Sequence, residues 1–316
     1  MNYNRFRRSI PLLGMGDREN KILGERGMEN VLIKGLAFDK KARIFFINNT
    51  ELLKTICCRP AVKSQLLRHV LGLTVSAASL LVGTLKEQQR LSLKIQTSHS
   101  AHKLFADVDS LGNVRGYASD DLLKAPAESL DKMTIPQFIG DTGFIQIAKD
   151  VGMFRSFTGI TDMPYRNIVD DLSHYFHQSE QTPTCFALHI VYTEDGQVQT
   201  SVGMLAQLLP GASKGLMGDI KEAIKPLPEI PPSKLNGETF GQVPFLFFKE
   251  NIEIKEAIPV RAYCGCSKEM MISMLYSLGK EELNSACGKD DSIEVVCRGC
   301  GQSYLFEPHE IKKLLD

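Results

Sequence analysis

The chain lacks net charge: its 316 residues carry 37 Lys and Arg against 37 Asp and Glu. That removes any whole-chain electrostatic case for nucleic acid or an anionic membrane as partner. It also lacks a P-loop, a G-x-S-x-G elbow and a dinucleotide fingerprint, so ATP-driven chemistry and serine hydrolysis have no support and the expectation is a protein that is not an enzyme. Long apolar runs are missing too. The longest uncharged stretch, Val70 to Leu85, has sixteen residues with Gly, Ser and Thr among them, short of the ~20 that a bilayer crossing needs. A buried core helix is the better reading. No internal repeat of solenoid length and no low-complexity tract is visible.

The N-terminus, "MNYNRFRRSIPLLGMG", starts basic, but its apolar stretch is too short for a secretory signal. Asp17, Glu19 and Glu25 argue against an organelle transit peptide. Residues 1–29 therefore read as a disordered extension. The expected location is cytoplasmic, a reducing compartment, where clustered cysteines are metal ligands or redox-active groups more often than structural disulfides.

Apolar residues at 43% and charged residues at 23% are those of a globular protein, and the length allows two domains. "VLIKGLAF" and "ARIFFIN" flank Asp39-Lys40-Lys41 as a hairpin. Ala61 to Lys86 reads as a helix with a break near Gly72. "LSLKIQ", "KLFADV" and "NVRGYA" alternate apolar and polar residues, with Asp109 to Asn113 as a turn between the last two. "GFIQIAKD" is another strand, and "YRNIVDDLSHYFHQ" has helical spacing at Ile168, Leu172, Tyr175 and Phe176. "FALHIVY" and "VQTSVGMLAQLL" flank the turn Glu194-Asp195-Gly196. Paired strands with helices grouped separately define an α+β fold: an N-terminal mixed core with antiparallel sheets over residues 30–212. A helical and proline-rich linker follows over 213–259. Pro226, Pro228, Pro231 and Pro232 oppose regular structure there, yet "VPFLFF" is apolar enough to need a surface to pack on. Residues 260–316 form a small C-terminal zinc-binding module of one helix plus a β-hairpin.

That module carries the chemistry. Between Arg261 and Gly301 lie five of the eight cysteines, four of them as C-x-C (Cys264, Cys266) and C-x-x-C (Cys297, Cys300). In an extended segment the first two side chains point the same way. The second two bracket a tight turn, with Gly299 and Gly301 free to take unusual backbone angles. "SKEMMISMLYSLG" between the pairs reads as a helix capped by Ser267 and ended by Gly279. Helix and hairpin can bring four sulfurs around one ion, and four thiolates in a tetrahedron suit one Zn²⁺. An iron–sulfur cluster is the weaker assignment, because two close pairs joined by a helix are more typical of zinc. The C-x-C spacing is tighter than zinc knuckles generally use. Cα atoms two apart in a strand lie ~6.6 Å from each other, at the upper edge of the ~4.4–6.8 Å open to a disulfide. Such a pair can hold metal while folded and oxidise once the backbone relaxes.

These residues resemble the redox-regulated 33-kDa heat-shock chaperonin family, whose signature is C-x-C, about thirty residues, then C-x-x-C. The resemblance extends to "IPVRAYCGCS", "LGKEEL" and "IEVVCRGCGQSYLFEPHEI", and upstream to "KGLAFDKKAR", "LSLKIQ", "DVDSLGNVRGY", "YFHQSEQTPT" and "GMLAQLLPGAS", so it covers most of the chain from Met28 to Asp316. This chain differs in having "TSHSAHK" where a glycine-rich turn is expected, and in its proline-rich linker. The resemblance implies an ATP-independent holdase, inactive when reduced and zinc-bound. Oxidants then convert the ligands to two disulfides, Cys264 with Cys266 and Cys297 with Cys300, and the metal is released. Module and linker then unfold, and the active form, a homodimer, binds unfolded client proteins. It implies no nucleic-acid or membrane partner. Met270, Met271, Met274, Leu275 and Leu278 would form the helix's core face while zinc is held, and lose that packing on release.

Two other functional classes compete with this reading. A zinc-ribbon nucleic-acid binder would want a basic module, but Arg261 to Asp316 holds seven Lys and Arg against nine Asp and Glu. A thiol–disulfide oxidoreductase would want a thioredoxin-like βαβ setting for Cys297 and Cys300. Cys57 and Cys58 read as a vicinal structural pair, Cys185 as a buried small residue and Cys287 as incidental. Asp170, His174 and His177 share one helix face at metal-compatible spacing, with nothing nearby to make a site of them.

Overall fold

The computed structural model describes residues 30–152, 156–213, 215–235, 239–276, 292–297 and 299–315. The expected N-terminal extension, Leu278, Gly279, the "LGKEEL" match and Cys287 lie outside them.

Two antiparallel sheets enclose one helix. Strands β1 (Val31–Ala37) and β2 (Ala42–Asn48) form the expected hairpin, with Phe38, Asp39 and Lys40 all at positive φ in its turn. A short helix α1 (Thr50–Cys57) leads to the long helix α2 (Gln65–Leu81). Strands β3 (Arg90–Gln96), β4 (Lys103–Asp109) and β5 (Asn113–Ala118) make a meander. Three short helices, α3 (Asp120–Lys124), α4 (Ala127–Asp131) and α5 (Ile135–Ile139), lead to β6 (Phe144–Asp150) and β7 (Ser156–Asp162). Helix α6 (Ile168–Ser179) precedes β8 (Thr184–Tyr192) and β9 (Val198–Leu208).

Helix α2 is apolar on every side because both faces are covered. Fourteen of its seventeen residues are buried, the pattern of a helix in a protein interior. Ser64 caps it, its hydroxyl accepting from Leu67 N–H and donating to Asp131. Thr74 and Ser79 return their hydroxyls to the helix's own carbonyls at 2.7 Å, so the polar groups travel inward already satisfied. The helix is shorter than expected and unbroken at Gly72; dense packing outweighs the ~1 kcal/mol helix penalty of one glycine. With the turn Val82–Thr84 the segment spans twenty residues, long and apolar enough by composition to cross a membrane, but 89% of that window is buried inside the protein. Burial, not length, makes it a core helix.

The helical, proline-rich linker carries more regular elements than its prolines suggest. Helices α7 (Leu216–Ala223) and α8 (Val243–Phe248) and two short 3-10 turns, Leu227–Glu229 and Pro232–Lys234, lie on the outer face of the first sheet. The prolines fit because Pro226 and Pro231 immediately precede these turns and Pro228 and Pro232 stand in their first two positions, where no backbone N–H is required. Phe247 stacks on Phe46 at 5.5 Å between ring centroids, and Phe248 meets Phe38 edge-on at 5.6 Å. Strand β10 (Ile252–Pro259) completes that sheet, in the order β10-β1-β2-β9-β8.

After Val260 the chain changes sheets. The two-residue strand β11 (Arg261–Ala262) joins the second sheet, in the order β11-β5-β4-β3-β6-β7, pairing parallel with β5. Gly112 makes the crossing possible: it sits at φ +79, and a Cβ there would come to 2.0 Å from Pro259 O. The C-terminal module follows as helix α9 (Lys268–Tyr276), the hairpin β12 (Ile293–Val296) and β13 (Ser303–Phe306), and helix α10 (Pro308–Leu315). The mixed α+β class with antiparallel sheets and a small cysteine-bearing C-terminal module is thus what the chain forms.

Phe46 is 1% exposed and anchors the linker's aromatic contacts. Phe46→Ala is expected to cost about 3–5 kcal/mol in denaturant unfolding and to make residues 215–250 more sensitive to limited proteolysis without any oxidant. Unchanged cleavage of that segment would show that it does not depend on this face.

Candidate metal centre

Cys264, Cys266, Cys297 and Cys300 come together. Their four sulfurs lie within 4.8 Å of one another, and they are the one such group of three or more His, Cys, Asp or Glu among the described residues. Four sulfurs around a tetrahedral ion at ~2.3 Å stand about 3.8 Å apart. Two of the contacts, Cys264 Sγ to Cys297 Sγ at 3.5 Å and Cys266 Sγ to Cys300 Sγ at 3.3 Å, run between the two motifs. The donor set and spacing therefore fit one soft tetrahedral metal ion.

Each sulfur is placed by a local device. The C-x-C pair is not in an extended strand, as its spacing had suggested: Gly265 sits at φ +64, turning the chain so that both thiols face the same centre. Tyr263 N–H donates to Val114 O at 2.9 Å and Arg261 N–H to Gly112 O at 2.9 Å, tying the entry to the core sheet. Cys297 and Cys300 occupy the turn between β12 and β13, closed by Gly301 N–H donating to Cys297 O at 2.7 Å, with Gly301 at φ +77. Helix α9 is capped by Ser267, whose hydroxyl accepts from Met270 N–H at 3.2 Å. Lys268 pairs with Glu310 at 2.7 Å and lies over the Phe306 ring, joining α9 to α10.

The electrostatics ask for a cation. Burial alone would raise the Cys297 thiol, but N–H groups of Cys300 and Gly299 and the contact with Cys264 bring it down to about 7. Burial pushes Cys300 up to about 12, and burial together with Cys297 raises Cys264. Cys297 thus ionises readily while Cys264 and Cys300 resist. Four ionised sulfurs at this spacing need a positive ion among them. Tyr304, which sequence reasoning passed over, donates its hydroxyl to Cys266 Sγ at 3.0 Å, and that bond raises the phenol to about 12. Such a partner orients a ligand and tunes its charge.

The helix's apolar stripe divides. Met271 and Leu275 are buried with Cys297, Phe306 and Ile311, whereas Met270 and Met274 are 44% and 57% exposed. The expectation that all of these residues form a core face is corrected: one-sided packing against a short hairpin leaves two of the methionines facing outward. The other described cysteines, Cys57, Cys58 and Cys185, are not part of the cluster. Cys57 is buried and raised by burial, and Cys185 is pushed up to about 11 by burial, so both are inert thiols at neutral pH. Asp170, His174 and His177 line an open groove of about 890 Å³ beside β8, where His174 faces Asp162 at 3.7 Å.

A two-sheet core threaded by a buried helix, with an interfacial strand leading into a four-thiol module, defines a protein that keeps a metal-type centre against its own core. The family model for Hsp33 protein matches residues 30–307. The chain is 30% identical over 290 residues to the 33 kDa chaperonin of Shouchella clausii, covering 92% of this chain and 98% of that one. It is 31% identical to the 33 kDa chaperonin of Syntrophotalea carbinolica, covering 91% and 100%. The crystal structure of the 33 kDa chaperonin of Thermotoga maritima superposes with a TM-score of 0.76 at 25% identity, over 91% of this chain and 98% of that one. The chain belongs to the Hsp33 family.

Reduced protein is expected to bind one Co²⁺ per chain with intense sulfur-to-cobalt charge-transfer absorption, and Cys297→Ser to lose most of that band. Tyr304→Phe should keep the band but weaken metal affinity roughly tenfold. A spectrum without thiolate charge transfer would remove the four-sulfur centre.

Proposed function

We propose that this chain is an ATP-independent chaperone, a holdase switched on by oxidation, and that it is not an enzyme. The observation that carries the reading is the convergence of four thiols in a family whose curated members are named 33 kDa chaperonin. Cys264, Cys266, Cys297 and Cys300 hold zinc in the reduced protein, which supplies a tetrahedral positive charge that keeps four thiolates ionised and together. The setting is the cytoplasm, the clients are unfolded proteins, and the oxidised form is a homodimer.

In the switch the protein's own residues do the work. Closing Cys264 on Cys266 and Cys297 on Cys300 forms two S–S bonds and releases four electrons. Two molecules of hypochlorous acid or peroxide accept them, each peroxide taking two electrons and two protons to leave two waters. Disulfide sulfurs no longer serve as anionic ligands, so the site loses its hold on the ion. In the reduced arrangement sulfurs of different motifs are in contact, Cys264 with Cys297 and Cys266 with Cys300, and Gly265 bends the C-x-C. Bridging within each motif therefore accompanies relaxation of the module.

The energetics favour unfolding over loosening. A structural zinc contributes ~10–16 kcal/mol in small modules, while a whole domain is stable by only ~5–15 kcal/mol. The module's core of Met271, Leu275, Cys297, Phe306 and Ile311 is small. Once it opens, β11 loses its continuation and the linker its anchor. Val31, Ile33, Ile44 and Phe46, on the sheet face that α7 and α8 cover, then become available to unfolded chains. The oxidoreductase alternative is less favoured, since Cys297 and Cys300 sit in a hairpin turn and not at the head of a helix.

Treatment with peroxide at mild heat is expected to release zinc, remove four thiols per chain and switch on suppression of a client's aggregation together. Equal suppression by reduced, zinc-loaded protein would defeat the switch. Turnover of a small disulfide substrate would favour the oxidoreductase reading.

A further inference from the structure

The core domain places a half-buried arginine against the thiol cluster. Arg59 follows α1 directly, held between Cys58 and Pro60. Its Nη1 donates to Gly299 O at 3.1 Å, inside the C-x-x-C turn, and its Nε donates to Thr55 O at 3.3 Å. Both partners are neutral carbonyls. Burial works against its charge, and the groups that favour the charge are all cysteines: Cys300 first, then Cys57, Cys264 and Cys297. The guanidinium also lines a cavity of about 250 Å³ between core and module, with Ile56, Val62, Tyr117, Val296 and Cys297. A second cation, Arg115, stands nearby: its Cδ is 3.7 Å from where a Cβ on Gly299 would lie, a point itself 3.1 Å from Cys264 Sγ. Arg115 is more exposed and already paired with Asp107 at 2.7 Å.

The geometry points to Arg59 as a positioning residue of the metal centre, the counter-cation that the core supplies to four ligating thiolates. The inference rests on the reading of those cysteines as zinc ligands. Four thiolates around a divalent ion carry a net charge of minus two, and a partly buried site leaves that charge only partly screened. A guanidinium fixed at the turn offsets part of it. Arg59 belongs to the core and the sulfurs to the module, so this one contact links metal loading to docking of the module. Arg115, neutralised by Asp107 and closer to solvent, contributes less.

The test measures zinc affinity of the full-length, reduced protein by competition with a chromophoric chelator. Arg59→Gln is expected to weaken binding roughly ten- to a hundredfold, and Arg115→Gln only a few-fold. Arg59→Lys, which restores charge without the guanidinium's hydrogen-bond fork, should recover most of the loss. The gap between wild type and Arg59→Gln should narrow as salt rises from about 0.05 M to about 1 M. Affinity of Arg59→Gln within twofold of wild type would overturn the inference. So would an equal, salt-independent loss in Arg59→Gln and Arg59→Lys, which marks a packing role. If Arg59→Gln fails to fold, the Lys variant and the Arg115→Gln comparison still decide. Wild type that binds no zinc at all overturns the metal reading as well, and so is distinguishable from failure of the arginine alone.

Discussion

Four sulfurs within 4.8 Å of one another are the constraint on which the C-terminal part of this protein depends. Thiolates at that spacing repel, and thiols at that spacing offer little cohesion, so the arrangement makes physical sense only with a cation or with covalent bonds between them. The module around them has few other resources. Among the described residues, the buried side chains of its core are one methionine, one leucine, one isoleucine, one phenylalanine and one of the cysteines themselves. Stability is therefore concentrated in one chemical state of four side chains.

The covalent route from that site to the rest of the fold runs through one short stretch. Residues 252–262 edge both sheets in succession, β10 beside β1 and β11 beside β5. The helices that cover the outer face of the first sheet lie immediately upstream. The cover is aromatic and substantial, with Phe247 and Phe248 against Phe46, but it belongs to a segment whose far end is fixed by the module. A two-residue strand on a sheet edge holds weakly alone. A conformational change starting at the sulfurs thus meets its least resistance along β11 and then the linker, while the core between the sheets, built on α2, has its own packing.

Much of this was legible in the sequence, for identifiable reasons. The strands over 91–118 showed period-two alternation, the hairpins at 31–48 and 184–208 were marked by their turn residues, and the structure pairs all of them in register. The four cysteines were legible by spacing, since C-x-C and C-x-x-C joined by a helix leave few arrangements. What was not legible was set by tertiary contact. Strand β7 lacks alternation because it is an exposed edge, with Phe157 65% and Ile160 59% exposed. Strand β10 hid in a segment without clean periodicity, and the prolines near it suggested disorder where short turns pack. The bend at Gly265, the bond from Tyr304 to Cys266 and the approach of Arg59 from 240 residues upstream all depend on distant chain segments meeting.

The central claim is that the four-sulfur centre in its metal-bound state holds β11 and the linker onto the core. Hydrogen–deuterium exchange tests it directly on reduced protein, zinc-loaded and then stripped by a chelator with no oxidant present. Loss of protection across residues 239–276, including the Tyr263 amide on β5, is expected while β3, β4 and α2 stay protected. Unchanged protection of that segment after complete metal removal would contradict it.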